Sequence, residues 1–166
     1  MSPESVKRRC VFLDRDGTVN VRPAVGEYIR HWPEFRFIPG IVDWIRIFNA
    51  QGFLVIVVTN QRGVARGLIR PQDLDEIHRR MAEEIEDSGG HIDQILCCPH
   101  EEDSCDCRKP KPGLVLQAQM RWDIDLASSL LIGDSDSDRE LARACGMSFV
   151  RVRDGRVVET AAWSKR

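Results

Sequence analysis

Apolar positions along the chain follow two rhythms. Short unbroken runs, "CVFLD", "FLVIVVTN", "HIDQILCC", "SSLLIGD" and "SFVRV", read as strands covered on both faces, since a half-exposed strand would alternate apolar with polar residues. Between them the apolar residues recur three or four apart. "PGIVDWIRIFNAQG" carries Ile41, Val42, Trp44, Ile45, Ile47 and Phe48; residues 71–88 carry Leu74, Ile77, Met81 and Ile85; "PGLVLQAQMRW" and "SDRELARACG" follow the same rule. Pro39 and Pro71 stand at plausible helix starts, and Gly52 and Gly146 at helix stops.

Strands alternating with helices predict an α/β fold, a Rossmann-like parallel sheet with helices on both faces joined by right-handed crossovers. We expect one domain over residues 1–166, its core about residues 10–152, with the tail beyond about Asp154 loosely held. In such sheets the ligand crevice lies beyond the C-terminal strand ends. Asp14 and Asp16 follow the first strand, Thr59 and Asn60 close the second, and Asp134 follows the fourth. The polar residues therefore collect at one edge.

Composition narrows the partners. The 166 residues, with a formal net charge of -2 and a pI near 6.1, offer no global field for nucleic acid or an anionic membrane surface. No run approaches a membrane span, and the apolar stretch after "MSPESVKRRC" is too short for a secretion signal, so the expected location is the cytoplasm.

Two carboxylates two positions apart, Asp14 and Asp16 in "FLDRDGTVN", repel unless they face solvent, share a cation or do chemistry. A carboxylate attacks a phosphate ester only when a divalent cation screens the two negative charges, and hard oxygen donors suit Mg²⁺. One aspartate could then attack phosphorus while the other protonates the leaving oxygen and later activates water. The tetrapeptide could equally be a capped turn. "IGDSDSD" offers further acids: if it turns directly into a helix, Asp134 and Asp138 face one way, although Asp134 or Asp136 could simply cap that helix. The hydroxyl of Thr59 and the charge of Lys109 in "CRKPKPG" would suit phosphoryl oxygens.

In "CCPHEEDSCDCRKP", Cys98, His100, Cys105 and Cys107 make a C-x-H-x4-C-x-C spacing, four ligands for a closed tetrahedral zinc site in a loop over residues 98–107. Closure argues for a structural ion that pins Arg108 and Lys109 over the phosphate site; free buried cysteines are the other reading. Cys97 is set aside because adjacent strand residues point to opposite faces. Cys10 and Cys145 read as core residues, and His31, His78 and His91 as surface or packing residues.

Taken in order, "DRDGT", "VVTN", Lys109 and "GDSDSD" resemble the four motifs of the haloacid dehalogenase (HAD)-like phosphatases over roughly residues 10–150. The resemblance implies Asp14 as the phosphorylated nucleophile and Asp16 as acid and base, with Thr59 and Lys109 on the phosphoryl group. It implies Mg²⁺ on Asp14, Asp134 and the backbone carbonyl of Asp16, with Asp138 a supporting acid. The zinc loop narrows it to the subfamily of histidinol-phosphate and heptose bisphosphate phosphatases. "DGTVNV", "FIPG" and "TNQRGVARG" look like the heptose group, whereas the short His100 to Cys105 spacer and Ser135 after Gly-Asp depart from it.

The chain leaves no room for a large cap domain, so short loops must select the substrate. Asn20, Asn60, Gln61, Arg62, Arg108 and Lys109 are the expected contacts. The loop Val21 to Phe37, with Arg22, Tyr28, Arg30, His31 and Trp32, is expected to cover the site, and Arg62, Arg66 and Arg108 to meet a second phosphate. The expected partner is a small phosphorylated metabolite acted on by a monomer, with no nucleic acid and no membrane. A zinc-stabilised binding module without activity and a nucleic-acid 3'-phosphatase are the competing readings.

Overall fold

The computed structural model describes residues 6–162. Six strands, β1 (Cys10–Leu13), β2 (Leu54–Asn60), β3 (Gln94–Cys98), β4 (Leu130–Gly133), β5 (Ser148–Arg153) and β6 (Arg156–Ala161), form one sheet in the order β3-β2-β1-β4-β5-β6. All neighbours pair in parallel except β5 with β6. Four helices connect them: α1 (Ile41–Ala50), α2 (Pro71–Asp87), α3 (Gly113–Trp122) and α4 (Asp136–Ala144).

Strand alternation divides the core. From β1 and β2, Val11, Leu13, Val55 and Val57 face Ile41 and Ile45 of α1 and Ile77, Met81 and Ile85 of α2. Cys10, Phe12, Leu54, Ile56 and Val58 point the other way, to Leu114, Val115 and Ala118 of α3 and Leu141 and Ala142 of α4. Both faces of the central strands are dry, which is why their sequences run apolar without a break. Each fully buried Leu or Ile contributes about 1.5–3 kcal/mol relative to exposure. The chain order reverses direction at β1, which has β2 on one side and β4 on the other, and the crevice outside that switch point is where ligands bind in such sheets. Among the described residues no helix is long and apolar enough to cross a membrane.

The tail corrects the expectation of a loose end: residues 156–161 form β6, antiparallel to β5. Asp154 and Gly155 take positive φ values of 49° and 73°, the backbone of a tight hairpin turn, and an Asp-Gly pair between β-branched runs is a sequence signal for it. Helix α1 starts two residues after Pro39, because Gly40 at its N-cap adopts a left-handed φ of 84°. Nor does either aspartate cap α4: Ser135 does, through a reciprocal capping box with Asp138.

Candidate functional site

The tips of β1 and β4 and the first turn of α4 gather the acids. Asp14 is fixed by its backbone N–H on the Ile132 carbonyl (3.0 Å), which ties the end of β1 to β4. The Lys109 ammonium reaches in from the other side, 2.7 Å from Asp14 Oδ1 and 2.7 Å from Asp138 Oδ1, and donates to the Val58 carbonyl at 2.9 Å. Asn60 holds Lys109 by its backbone, accepting from the N–H (3.0 Å) and donating to the carbonyl (3.1 Å). All three charged groups are buried, Asp138 completely.

Asp134 completes the group: Asp14, Asp134 and Asp138 each bring a carboxylate oxygen within 4.8 Å of the others. Two glycines allow that approach. A Cβ on Gly17, where φ is 92°, would lie 1.9 Å from Asp134 Oδ2, and one on Gly133 would lie 2.4 Å from Asp138 Oδ2. Burial and the neighbouring Asp138 push the Asp14 carboxyl up to about 8 even with the Lys109 ammonium beside it. Against its own burial, Asp138 and Asp14 raise Lys109, which stays charged. Three carboxylates against the Lys109 ammonium and the Arg22 guanidinium on Asp134 leave the cluster one positive charge short, and hard oxygen donors of this kind fit Mg²⁺.

Asp16 occupies a different environment, and its carboxylate is not part of that cluster. It accepts from Arg15 Nη2 (3.0 Å), Asn20 Nδ2 (2.9 Å) and Gln61 Nε2 (2.8 Å). Burial opposes its charge, but Arg15, Asn20 and Gln61 together hold its carboxyl below the usual range. Gln61 Nε2 also donates to Thr59 Oγ1 at 2.9 Å, linking the second strand to Asp16. Asp14, Asp16, Asn60, Gln61, Arg62 and Lys109 all open onto one cleft of about 330 Å³. Asn20, expected at the substrate, is instead fully buried with its amide N–H groups spent on Asp16 and the Val21 carbonyl. Its place is behind Asp16.

The four candidate zinc ligands also meet, each contributing a donor within 4.8 Å of the rest. Cys98 Sγ lies 3.5 Å from Cys105 Sγ, Cys107 Sγ lies 3.4 Å from Cys105 Sγ, and His100 Nδ1 is 3.2 Å from Cys107 Sγ. A tetrahedron with bonds of about 2.3 Å has edges of ~3.8 Å, so the donor set fits zinc with little adjustment. Burial and the neighbouring sulfurs push the Cys107 thiol up to about 12. Cys105, desolvated but accepting from Cys107, ionises first, at about 6. Such a cluster cannot become three thiolates without a cation. Cys98 is buried on the α3 side of β3 while Cys97 is not in the cluster, as strand alternation requires.

The same loop holds the arginines. Glu101 pairs with Arg66 at 2.9 Å, Glu102 pairs with Arg62, and Arg108 Nη2 lies 3.7 Å from Glu102. Arg62 Nε and Arg108 Nη1 are buried with no hydrogen-bond partner. In the loop after β1, Trp32 stacks on Phe35 with centroids 5.0 Å apart, anchoring one end, while Arg22 forms a bidentate pair with Asp134 at 2.7 Å and 2.7 Å.

Sequence reasoning passed over two residues. Arg15 has no role assigned from the sequence, yet it is one of the largest fully buried side chains and holds Asp16. His78, read as surface or packing, accepts from Arg15. For Arg15 the available signal was a third charged residue in the turn directly after an apolar strand.

The residues 106–164 match a family model described as HAD-hydrolase-like. A D-glycero-beta-D-manno-heptose-1,7-bisphosphate 7-phosphatase of Rhodopseudomonas palustris is 38% identical over 159 residues, covering 91% of this chain and 87% of that protein. A D-glycero-alpha-D-manno-heptose-1,7-bisphosphate 7-phosphatase of Mycobacterium bovis is 43% identical over 135 residues, 80% of this chain and 70% of that one. Among solved structures, the D,D-heptose 1,7-bisphosphate phosphatase of B. bronchiseptica, complexed with magnesium and phosphate, superposes with a TM-score of 0.82 at 35% identity, covering 89% of this chain and 83% of that one.

Proposed function

From the chain's membership of the HAD-like hydrolases, in the branch of the heptose-1,7-bisphosphate 7-phosphatases, we propose a metal-dependent phosphatase that removes the C7 phosphate of D-glycero-D-manno-heptose 1,7-bisphosphate. The observation that carries this reading is the convergence of Asp14, Lys109, Asp138 and Asp134 at the strand tips, with Asp16 across the same cleft.

Asp14 is the nucleophile. One of its carboxylate oxygens bonds to phosphorus as the ester P–O bond breaks, giving an aspartyl-phosphate. Asp16, ionised while Arg15, Asn20 and Gln61 hold it, takes up a proton as the negatively charged phosphate enters beside it, gives that proton to the departing sugar oxygen and then takes one from the water that attacks phosphorus and frees Asp14. Lys109 and Thr59 hold the phosphoryl oxygens, and the buried location strengthens each of those contacts. Asp14, Asp134 and the Asp16 carbonyl would hold Mg²⁺, with Asp138 in support; the ion supplies the positive charge that lets a carboxylate and a phosphate dianion approach. Cys98, His100, Cys105 and Cys107 would hold zinc and so fix the loop whose last residues are Arg108 and Lys109.

The distal phosphate of a bisphosphate meets Arg62 and Arg108, supported by their unpartnered buried N–H groups, with Gln61 and Asn60 lining the path between. Histidinol phosphate has no such second anion, and none of the relatives above favours it. The chemistry acts on a small phosphorylated sugar by a monomeric enzyme of the cytoplasm. The deciding experiment compares kcat/KM for the two substrates on purified protein with Mg²⁺. A ratio above about 100 in favour of the bisphosphate is expected; equal values or a preference for histidinol phosphate would overturn the assignment.

A further inference from the structure

Arg15 stands between the two aspartates, and its whole side chain is removed from solvent. Burying a guanidinium is unfavourable unless every donor is used. Here each of the three nitrogens has a partner, on two targets. Nε and Nη2 lie 3.3 Å and 3.0 Å from Asp16 Oδ1, with Nη2 also 3.2 Å from Oδ2, while Nη1 lies 3.1 Å from His78 Nε2 on α2. A guanidinium has no acceptor, so His78 Nε2 must carry the lone pair and the imidazole must be neutral. Burial, and then Arg15 itself, push His78 down to about 3, in keeping with that assignment.

The contacts on Asp16 are unequal. Oδ1 takes three contacts, two from Arg15 nitrogens and one from Asn20 Nδ2, whereas Oδ2 takes two, from Gln61 Nε2 and from Arg15 Nη2, the nitrogen it shares with Oδ1. Oδ2 is therefore the oxygen that can exchange a donor for a proton while the carboxyl group stays aimed. Resting on the reading of Asp16 as acid and base, we propose that Arg15, braced by neutral His78, is the positioning residue that anchors Asp16 Oδ1 and leaves Oδ2 to pass the proton to and from the substrate oxygen.

The role predicts a dependence on the leaving group that a purely structural ion pair would not show. kcat/KM covers transfer of the phosphoryl group to Asp14 but not its release. For the sugar phosphate the departing alkoxide needs a proton, and for 2,4-dinitrophenyl phosphate it does not. Arg15→Met is expected to lower kcat/KM for the sugar phosphate about a hundredfold and for the dinitrophenyl ester by less than about threefold, with Arg15→Lys recovering part of the loss. His78→Leu should show the same selective loss, on the order of tenfold, and His78→Gln, which keeps an acceptor, should stay close to the parent. If Arg15→Met does not fold, the His78 pair carries the test. Asp16→Ala serves as the reference. Equal losses on both esters, or no loss, in the Arg15 and His78 variants while Asp16→Ala discriminates would overturn the positioning role alone; an Asp16→Ala protein that does not discriminate would overturn the acid and base reading and this inference with it.

Discussion

The carboxylate cluster and the cysteine cluster solve the same electrostatic problem in opposite ways. Asp14, Asp134 and Asp138 come from two separate strand ends and a helix, brought together by the β1–β4 pairing, and their approach relies on Gly17 and Gly133. The cysteine cluster lies within ten consecutive residues and needs only a loop. The first has hard oxygens, a buried ammonium and a cleft of about 330 Å³ in front of it. The second is a closed set of soft donors whose loop turns Glu101 and Glu102 back onto Arg62 and Arg66. Open hard sites accept substrate, and closed soft sites hold shape.

The largest effect should come from the open cluster. Asp14→Asn should leave the fold intact and lower kcat by at least ~10³-fold in a phosphate-release assay, since the nucleophile has no substitute. Breaking the closed cluster should cost less activity and more stability. Cys105→Ser, or a chelator applied with Mg²⁺ replenished, should lower the melting temperature and reduce kcat by up to ~10²-fold through displacement of Arg108 and Lys109; an unchanged melting temperature would remove the zinc loop's structural role.

This contrast also explains what was legible in the sequence. The cysteine spacing is local, so its ligand set can be read directly, and β alternation separates Cys98 from Cys97. The meeting of Asp14, Lys109 and Asp138 is not local: each is an ordinary residue until the strand order places Val11 opposite Leu130 and brings the tips together. Ser135 after Gly-Asp, a departure from the heptose pattern, turns out to be the N-cap that binds Asp138. Least legible were Arg15 and Asn20, whose buried partners depend on α2 and on the turn after β1. The hairpin to β6 did carry its signal, in Asp154-Gly155, but the strand beyond it is largely solvent-facing and gives no apolar run.

A smaller effect sharpens the division between catalysis and selection. Arg108→Ala should lower kcat/KM for the bisphosphate about ten- to a hundredfold, the worth of a charged hydrogen bond, and leave a matched monophosphate nearly unchanged. Equal losses would remove the distal contact. The smallest concerns pH. His78 is depressed to about 3 in the fold and takes its ordinary value when unfolded, so the unfolded chain binds the extra proton between the two. Its contribution to stability is therefore present above about pH 6.5 and is lost as pH falls towards 3, by at most ~1.4 kcal/mol per pH unit. Denaturant melts of the parent and His78→Gln should converge in slope above that window and diverge within it.

The central claim is that Asp14 itself carries the phosphoryl group. A single turnover with enzyme in excess, quenched in acid and reduced with borohydride, should convert Asp14 alone into homoserine in the peptide spanning residues 10–20. Sugar product and inorganic phosphate appearing together, with Asp14 unmodified at every quench time, would contradict the account.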